Sequence, residues 1–84
     1  MNGQDAIRDF IRRLADLHEP EFGDFKRKAE LYLSQMAEEI TDGSPAQTVL
    51  RDMRRHLIYN PNGHVETTRQ FLLKKSRELL GGGV

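Results

Sequence analysis

Between Ser44 and Gly63 the chain spells out a complete helix with its own start, apolar stripe and stop. Ser44 is a residue that satisfies an orphan amide at a helix start, and Pro45 suits the first helical position, where a missing N–H costs nothing. Ala46, Val49, Leu50, Met53 and Leu57 then recur at helical spacing and form one narrow apolar stripe. Asn60-Pro61-Asn62-Gly63 has turn chemistry: a proline for the first central position, an asparagine for the second and a glycine for the exit. A helix so punctuated buries one stripe only. It needs other helices to cover that stripe.

Three further stretches supply them. The first helix is expected over residues 3–18, with Ile7, Phe10, Ile11, Leu14 and Leu17 on one face and Arg8, Asp9, Arg12, Arg13 and Asp16 on the other. Asp9 and Arg13 stand four apart with the acid first, the favourable order for an ion pair. Pro20 pushes Glu19 away from helical geometry and so separates this helix from the next. The second is expected over 20–41, starting at Pro20 or at Asp24 after Gly23. Its stripe is Phe22, Phe25, Ala29, Tyr32, Leu33, Met36 and Ile40, close to heptad spacing, with Leu31 alone on the far side. Asp42-Gly43 is expected to stop it. The third helix covers 45–59.

The fourth is expected over 63–80, with Val65, Leu72 and Leu79 on its inner line, Thr68 beside them, and Phe71, Leu73 and Leu80 widening the apolar arc. Leu73 and Leu80 share one shoulder. Either they belong to the core of an enclosed helix or they form a self-association surface, as in a homodimer. Residues 1–80 thus read as a single all-α domain, a compact four-helix bundle, and 81–84 as a flexible glycine-rich tail.

Length and composition narrow the function classes. At 84 residues there is room for one domain with a modest core. The absence of cysteine removes disulfides, thiolate zinc sites and cysteine nucleophiles together. No apolar run approaches the roughly 18 residues of a membrane span, and charges interrupt the N-terminal stretch where a signal peptide would be continuous. A cytoplasmic, membrane-free protein is the expectation.

No enzyme motif emerges. His64-Val65-Glu66 has the His-x-Glu spacing of zinc deaminases without the cysteines those sites need. His18, His56 and His64 include no i, i+4 pair, so no metal is expected. Ser34, Ser44 and Ser76 lack a glycine-framed elbow, and no glycine loop precedes a helix to cradle phosphate, so no cofactor is expected either.

Charge is the more informative signal. The 13 basic and 13 acidic residues cancel overall, but residues 1–43 hold six Lys/Arg against ten Asp/Glu, and residues 44–84 hold seven against three. On a helical wheel of the third helix, Ile58 stands outside the core stripe among Arg51, Arg54 and Arg55, with Tyr59 next to it. An apolar residue framed by arginines has the make-up of an interface anchor and its rim. The leading expectation is a small non-enzymatic protein that binds another protein through Arg51, Arg54, Arg55, Ile58 and Tyr59: an adaptor, regulator, inhibitor or co-chaperone. The competing local reading folds Ile58 and Tyr59 over onto helix four as a lid on the core.

The alternative function is nucleic-acid binding, with helices three and four as a helix-turn-helix-like unit. Glu66, Thr67, Arg69 and Gln70 would then lie at the start of the reading helix, with Lys74, Lys75 and Arg77 further along. A pI near 6.8 is far from the basic signature of a strong binder and weighs against it.

Overall fold

Each of the four stripes becomes a helix. The structure is a computed structural model that describes residues 3–40, 44–59 and 63–81. The expected stop at Asp42-Gly43, the Ser44 side-chain cap, the Asn60-Pro61-Asn62 turn and residues 82–84 lie outside the described part. The elements are α1 (Gly3–Ala15), α2 (Phe22–Glu38), α3 (Ser44–Ile58) and α4 (Val65–Gly81). Helix α1 packs on α2 and α4, and α3 closes the ring by packing on α4 and α2. The Cα radius of gyration, 12.0 Å, is what about 84 residues give when folded as one domain.

The core is built from the expected stripes. Phe10, Leu14, Phe25, Leu33, Met53, Leu57 and Leu72 are the largest apolar side chains wholly enclosed. Leu50, Met36, Ile7 and Leu17 complete the same cluster, with Val49, Phe22, Tyr32 and Val65 packed against its edge. Burying each large apolar side chain contributes roughly 1.5–3 kcal/mol, which is why the four stripes must meet. Leu31 stays outside, 54% exposed, as its position opposite the α2 stripe requires.

Boundaries differ from the sequence expectation in ways that have physical causes. Helix α1 ends at Ala15 rather than at 18, because the chain tightens there: the Leu17 amide donates to the Leu14 carbonyl at 3.2 Å, three residues back instead of four. Leu17 is thereby turned into the core. Helix α2 starts at Phe22, between the two expected starts. Glu21 is the extended N-cap residue and makes no side-chain cap bond. Asp24 falls in the first turn, where its charge suits the helix dipole. At the other end Glu39 is the C-cap residue, and Ile40 reaches the core from just beyond the helix. Helix α4 runs through Gly81, so the first glycine of the expected tail is helical.

Helix α4 carries the largest departure. Leu73 is buried in the bundle interior at 6% exposure, and Leu80 is half-buried against its edge. The enclosed-helix alternative holds for Leu73, whose side chain is taken up by the core and leaves nothing for a second copy to cover. Arg69, Thr68 and Ser76 are also buried on α4. The Ser76 hydroxyl donates to the Leu72 carbonyl at 2.8 Å, one turn back. Among the described residues the Thr68 hydroxyl has no hydrogen-bond partner, although the side chain is wholly enclosed. An unmet buried hydroxyl costs about 1–3 kcal/mol. Thr68→Val, which keeps the shape and removes the hydroxyl, is expected to raise unfolding free energy by about 1 kcal/mol in urea titrations; a loss of stability would show that the hydroxyl is satisfied in solution.

Candidate interaction face on helix three

Helix α3 is amphipathic, and the side that packs into the bundle fixes what the other side offers. With Leu50, Met53 and Leu57 turned inward, Arg51, Arg54, Arg55, Ile58 and Tyr59 are all turned to solvent. Their spacing is i, i+3, i+4, i+7 and i+8, which is one face of a helix. At 1.5 Å per residue that face extends about 12 Å along the axis. Ile58 is 53% exposed and Tyr59 74% exposed. Neither folds over the core as a lid.

The arginines of this face differ in their pairing from the exposed cations of the N-terminal half. In the N-terminal half Arg8 pairs with Asp5, Arg12 and Arg13 with Asp9, Arg27 with Asp24 and Lys28 with Glu19. The Glu19 carboxylate accepts a hydrogen bond from the Lys28 ammonium and, with its charge, holds the Lys28 pKa above the ordinary lysine value. Arg13 also donates to Gln35 at 2.9 Å and lies 5.5 Å from the centre of the Tyr32 ring. Among the described residues, Arg51, Arg54 and Arg55 enter no ion pair. The same is true of Lys74 and Arg77 on α4, which are exposed. In the N-terminal half every Lys/Arg except Lys26 is paired with a near acid, whereas, among the described residues, the arginines of α3 are left open.

The flank of α3 that meets α4 is held by an aromatic stack. His56 lies flat on Phe71, with ring centres 4.0 Å apart and 14° between the planes, and the Lys75 ammonium lies 5.7 Å from the centre of the Phe71 ring. Burial lowers the His56 pKa below the usual histidine value. The folded protein therefore prefers neutral His56. Stability that is complete above the unfolded histidine pKa of about 6.5 diminishes as pH falls through it toward the depressed folded value. His56→Phe, which keeps a ring on Phe71 and removes the titration, is expected to reduce the drop in unfolding free energy between pH 7.5 and pH 5.5 (test conditions set by the same reference value of about 6.5). An unchanged drop would assign the pH dependence to other groups.

The nucleic-acid alternative fares differently residue by residue. Thr67, Gln70, Lys74 and Arg77 are exposed on α4. Arg69 is not among them: at 7% exposure it points back into the bundle. Its guanidinium donates to the carbonyls of Leu14, Leu17 (2.7 Å) and Ala15 (3.4 Å), at the end of α1. It also pairs with Glu66 at 3.0 Å and lies 5.4 Å from the centre of the Phe25 ring. Arg69 is thus spent on the fold and cannot meet a base edge. The last carbonyls of a helix lack intrahelical donors and attract cations, and the five-donor fork of an arginine can serve several at once. A signal for this was present in the sequence. Arg69 stands four residues after Val65 and three or four before Leu72 and Leu73, on the apolar arc, and a charge in that place needs a buried role.

Other features offer less. His18 and His64 are exposed, His56 is committed to its stack, and among the described residues no three of His, Cys, Asp and Glu come together as a metal-binding group. A hollow of about 160 Å³ between α1 and α2 is lined by Asp9, Phe10, Arg13, Tyr32, Met36 and Glu39, and it is smaller than the roughly 300 Å³ at which small-molecule sites begin. A more open depression along the first turns of α2 is lined by Glu21, Gly23, Asp24, Lys26, Arg27 and Glu30. Among the described residues no helix is long and apolar enough to cross a membrane.

The fold defines a class, an all-α four-helix bundle. No family model, curated protein or solved structure matches the chain, so its function is read from its own surface.

Proposed function

We propose that this is a small, non-enzymatic cytoplasmic protein that acts by binding another protein through the outer face of α3. One observation carries the reading: Ile58 and Tyr59, more than half exposed, sit among three arginines that no acid of the described chain neutralises. Arginine and tyrosine are enriched at binding hot spots, where an apolar residue seats in a partner pocket and the charged groups around it exclude water. Arginines in the basic half of a charge-asymmetric chain also raise the rate of encounter with an acidic partner. Occupancy of the partner's surface is the mechanism, as for an adaptor, regulator, inhibitor or co-chaperone.

Nucleic-acid binding is the second reading, favoured by the open cations Lys74 and Arg77 on α4. Without Arg69 it loses a base-reading residue and keeps only phosphate contacts, which would make affinity steeply salt-dependent. Affinity capture from native extract on a tagged full-length chain, with and without nuclease, separates the two. A stoichiometric protein that persists after nuclease is the expected result. Material lost on nuclease treatment would move the function to α4.

A further inference from the structure

The chemistry of the α3 face also constrains what sits on it, given the protein-binding reading above. Its exposed side chains form a ridge with period 3.5 along about two helical turns. The ridge is cationic at Arg51, Arg54 and Arg55 and apolar at Ile58, and it ends in the amphipathic Tyr59 ring. The natural complement of a helical ridge is the groove between side-chain rows of another helix. To neutralise three arginines while covering Ile58, that second helix must place carboxylates beside an apolar line and repeat them at three- and four-residue intervals. Carboxylates suit arginine forks in two-bonded geometry, and an arginine on such a site desolvates more readily than a lysine.

We infer that the partner element on α3 is an acidic amphipathic helix, with its apolar line over Ile58 and its carboxylates on Arg51, Arg54 and Arg55. The apolar anchor distinguishes it from a simple polyanion. A phosphate chain or a run of glutamates would engage the arginines and leave Ile58 in water. Lys74 and Arg77 stand on a different helix, α4, and a helix laid along α3 does not need them.

The probe is a labelled, end-capped peptide of about eighteen residues, long enough to be helical, made of Glu, Ala and Leu with the leucines on one stripe. Its comparators are a scrambled peptide of the same composition, a polyglutamate of equal charge, and a DNA duplex. Fluorescence anisotropy with the full chain should show saturable binding of the amphipathic peptide, at least about tenfold tighter than any comparator. Ile58→Asp should weaken it by about tenfold or more, as should Arg54→Glu with Arg55→Glu, while Ile58→Leu should retain it. Lys74→Ala with Arg77→Ala should change it by no more than about twofold. Circular dichroism of each variant establishes that it is folded.

Polyglutamate or DNA binding as tightly as the amphipathic peptide would overturn the inference, as would indifference to Ile58→Asp. If no peptide binds but nuclease-resistant capture of a protein still depends on Ile58, the acidic-helix inference fails and the protein-binding reading stands. If that capture is also lost, both fail.

Discussion

Arg69→Met is expected to lower the unfolding free energy by about 3 kcal/mol, the largest effect of any single polar substitution in this chain. Methionine fills much of the same volume and supplies no donor. The substitution therefore isolates the hydrogen bonds to the Leu14 and Leu17 carbonyls, which come from a charged donor and are buried. Each such bond contributes about 1.5–3 kcal/mol; without Arg69 the Leu14 carbonyl keeps the Leu17 amide as donor, and the Leu17 carbonyl, just past the end of α1, loses the guanidinium. Global stability of a domain is roughly 0.05–0.15 kcal/mol per residue, so a loss of this size is a large share of the total. For a domain of this size it corresponds to a fall in Tm on the order of 15 °C.

Two companion variants show where the energy resides. Arg69→Lys should recover only part of it, since an ammonium cannot span several carbonyls as a planar fork does. Glu66→Ala should cost less than about 0.5 kcal/mol, because Glu66 is 72% exposed and its pairing with Arg69 is screened by water. Urea denaturation of the three variants is the measurement. An Arg69→Met protein as stable as the parent would remove Arg69 as the tie between α4 and α1.

The second large effect is on binding rather than folding. Replacing Ile58 by Ala together with Arg54→Glu and Arg55→Glu should weaken capture of the protein partner by about 100-fold or more, since an anchor is lost and two attractive charges become repulsive. All three positions are exposed, and surface substitutions usually move stability by no more than about 0.5 kcal/mol each. Helicity and the unfolding transition should therefore stay close to those of the parent. Capture that survives the triple change would take the binding face away from α3.

The architecture was legible in the sequence because the apolar residues recur with helical period and because proline, glycine and charge mark the breaks. Every large side chain at the centre of the bundle belongs to a stripe visible in the sequence, from Phe10 and Leu14 to Met53, Leu57 and Leu72. The exposure of Arg51, Arg54 and Arg55 follows from the same wheel, since a helix that turns Leu50, Met53 and Leu57 inward must turn these outward. Periodicity alone did not decide Ile58 and Tyr59, because residues at a helix end can fold either way.

What the sequence hid lies on α4, the helix with the widest apolar arc. Hydropathy ranks arginine as a surface residue, so Arg69 reads as an exposed contact, while Thr68 already stands beside the inner line of the helix. The burial of Arg69 depends on the end of α1, more than fifty residues away, arriving within hydrogen-bond reach. No local pattern encodes that meeting. The same enclosure decided Leu73, whose place on the shoulder fitted core and contact surface equally well. The α1 boundary was displaced for a related reason: its terminal carbonyls are met by another helix, so the chain can leave the helix early.

The central claim is that a protein covers the α3 face, and the absence of cysteine in the chain makes a direct test simple. Tyr59→Cys introduces a single thiol at the end of that face. Leu31→Cys introduces one at a comparably exposed apolar position on α2, 54% exposed, as its control. Each thiol is labelled with a photoactivatable cross-linker and irradiated in native extract after nuclease treatment. The account predicts one discrete protein adduct from position 59, suppressed by excess unlabelled parent chain and absent from position 31. Equal adducts from both positions, or a discrete adduct from position 31 alone, would contradict it.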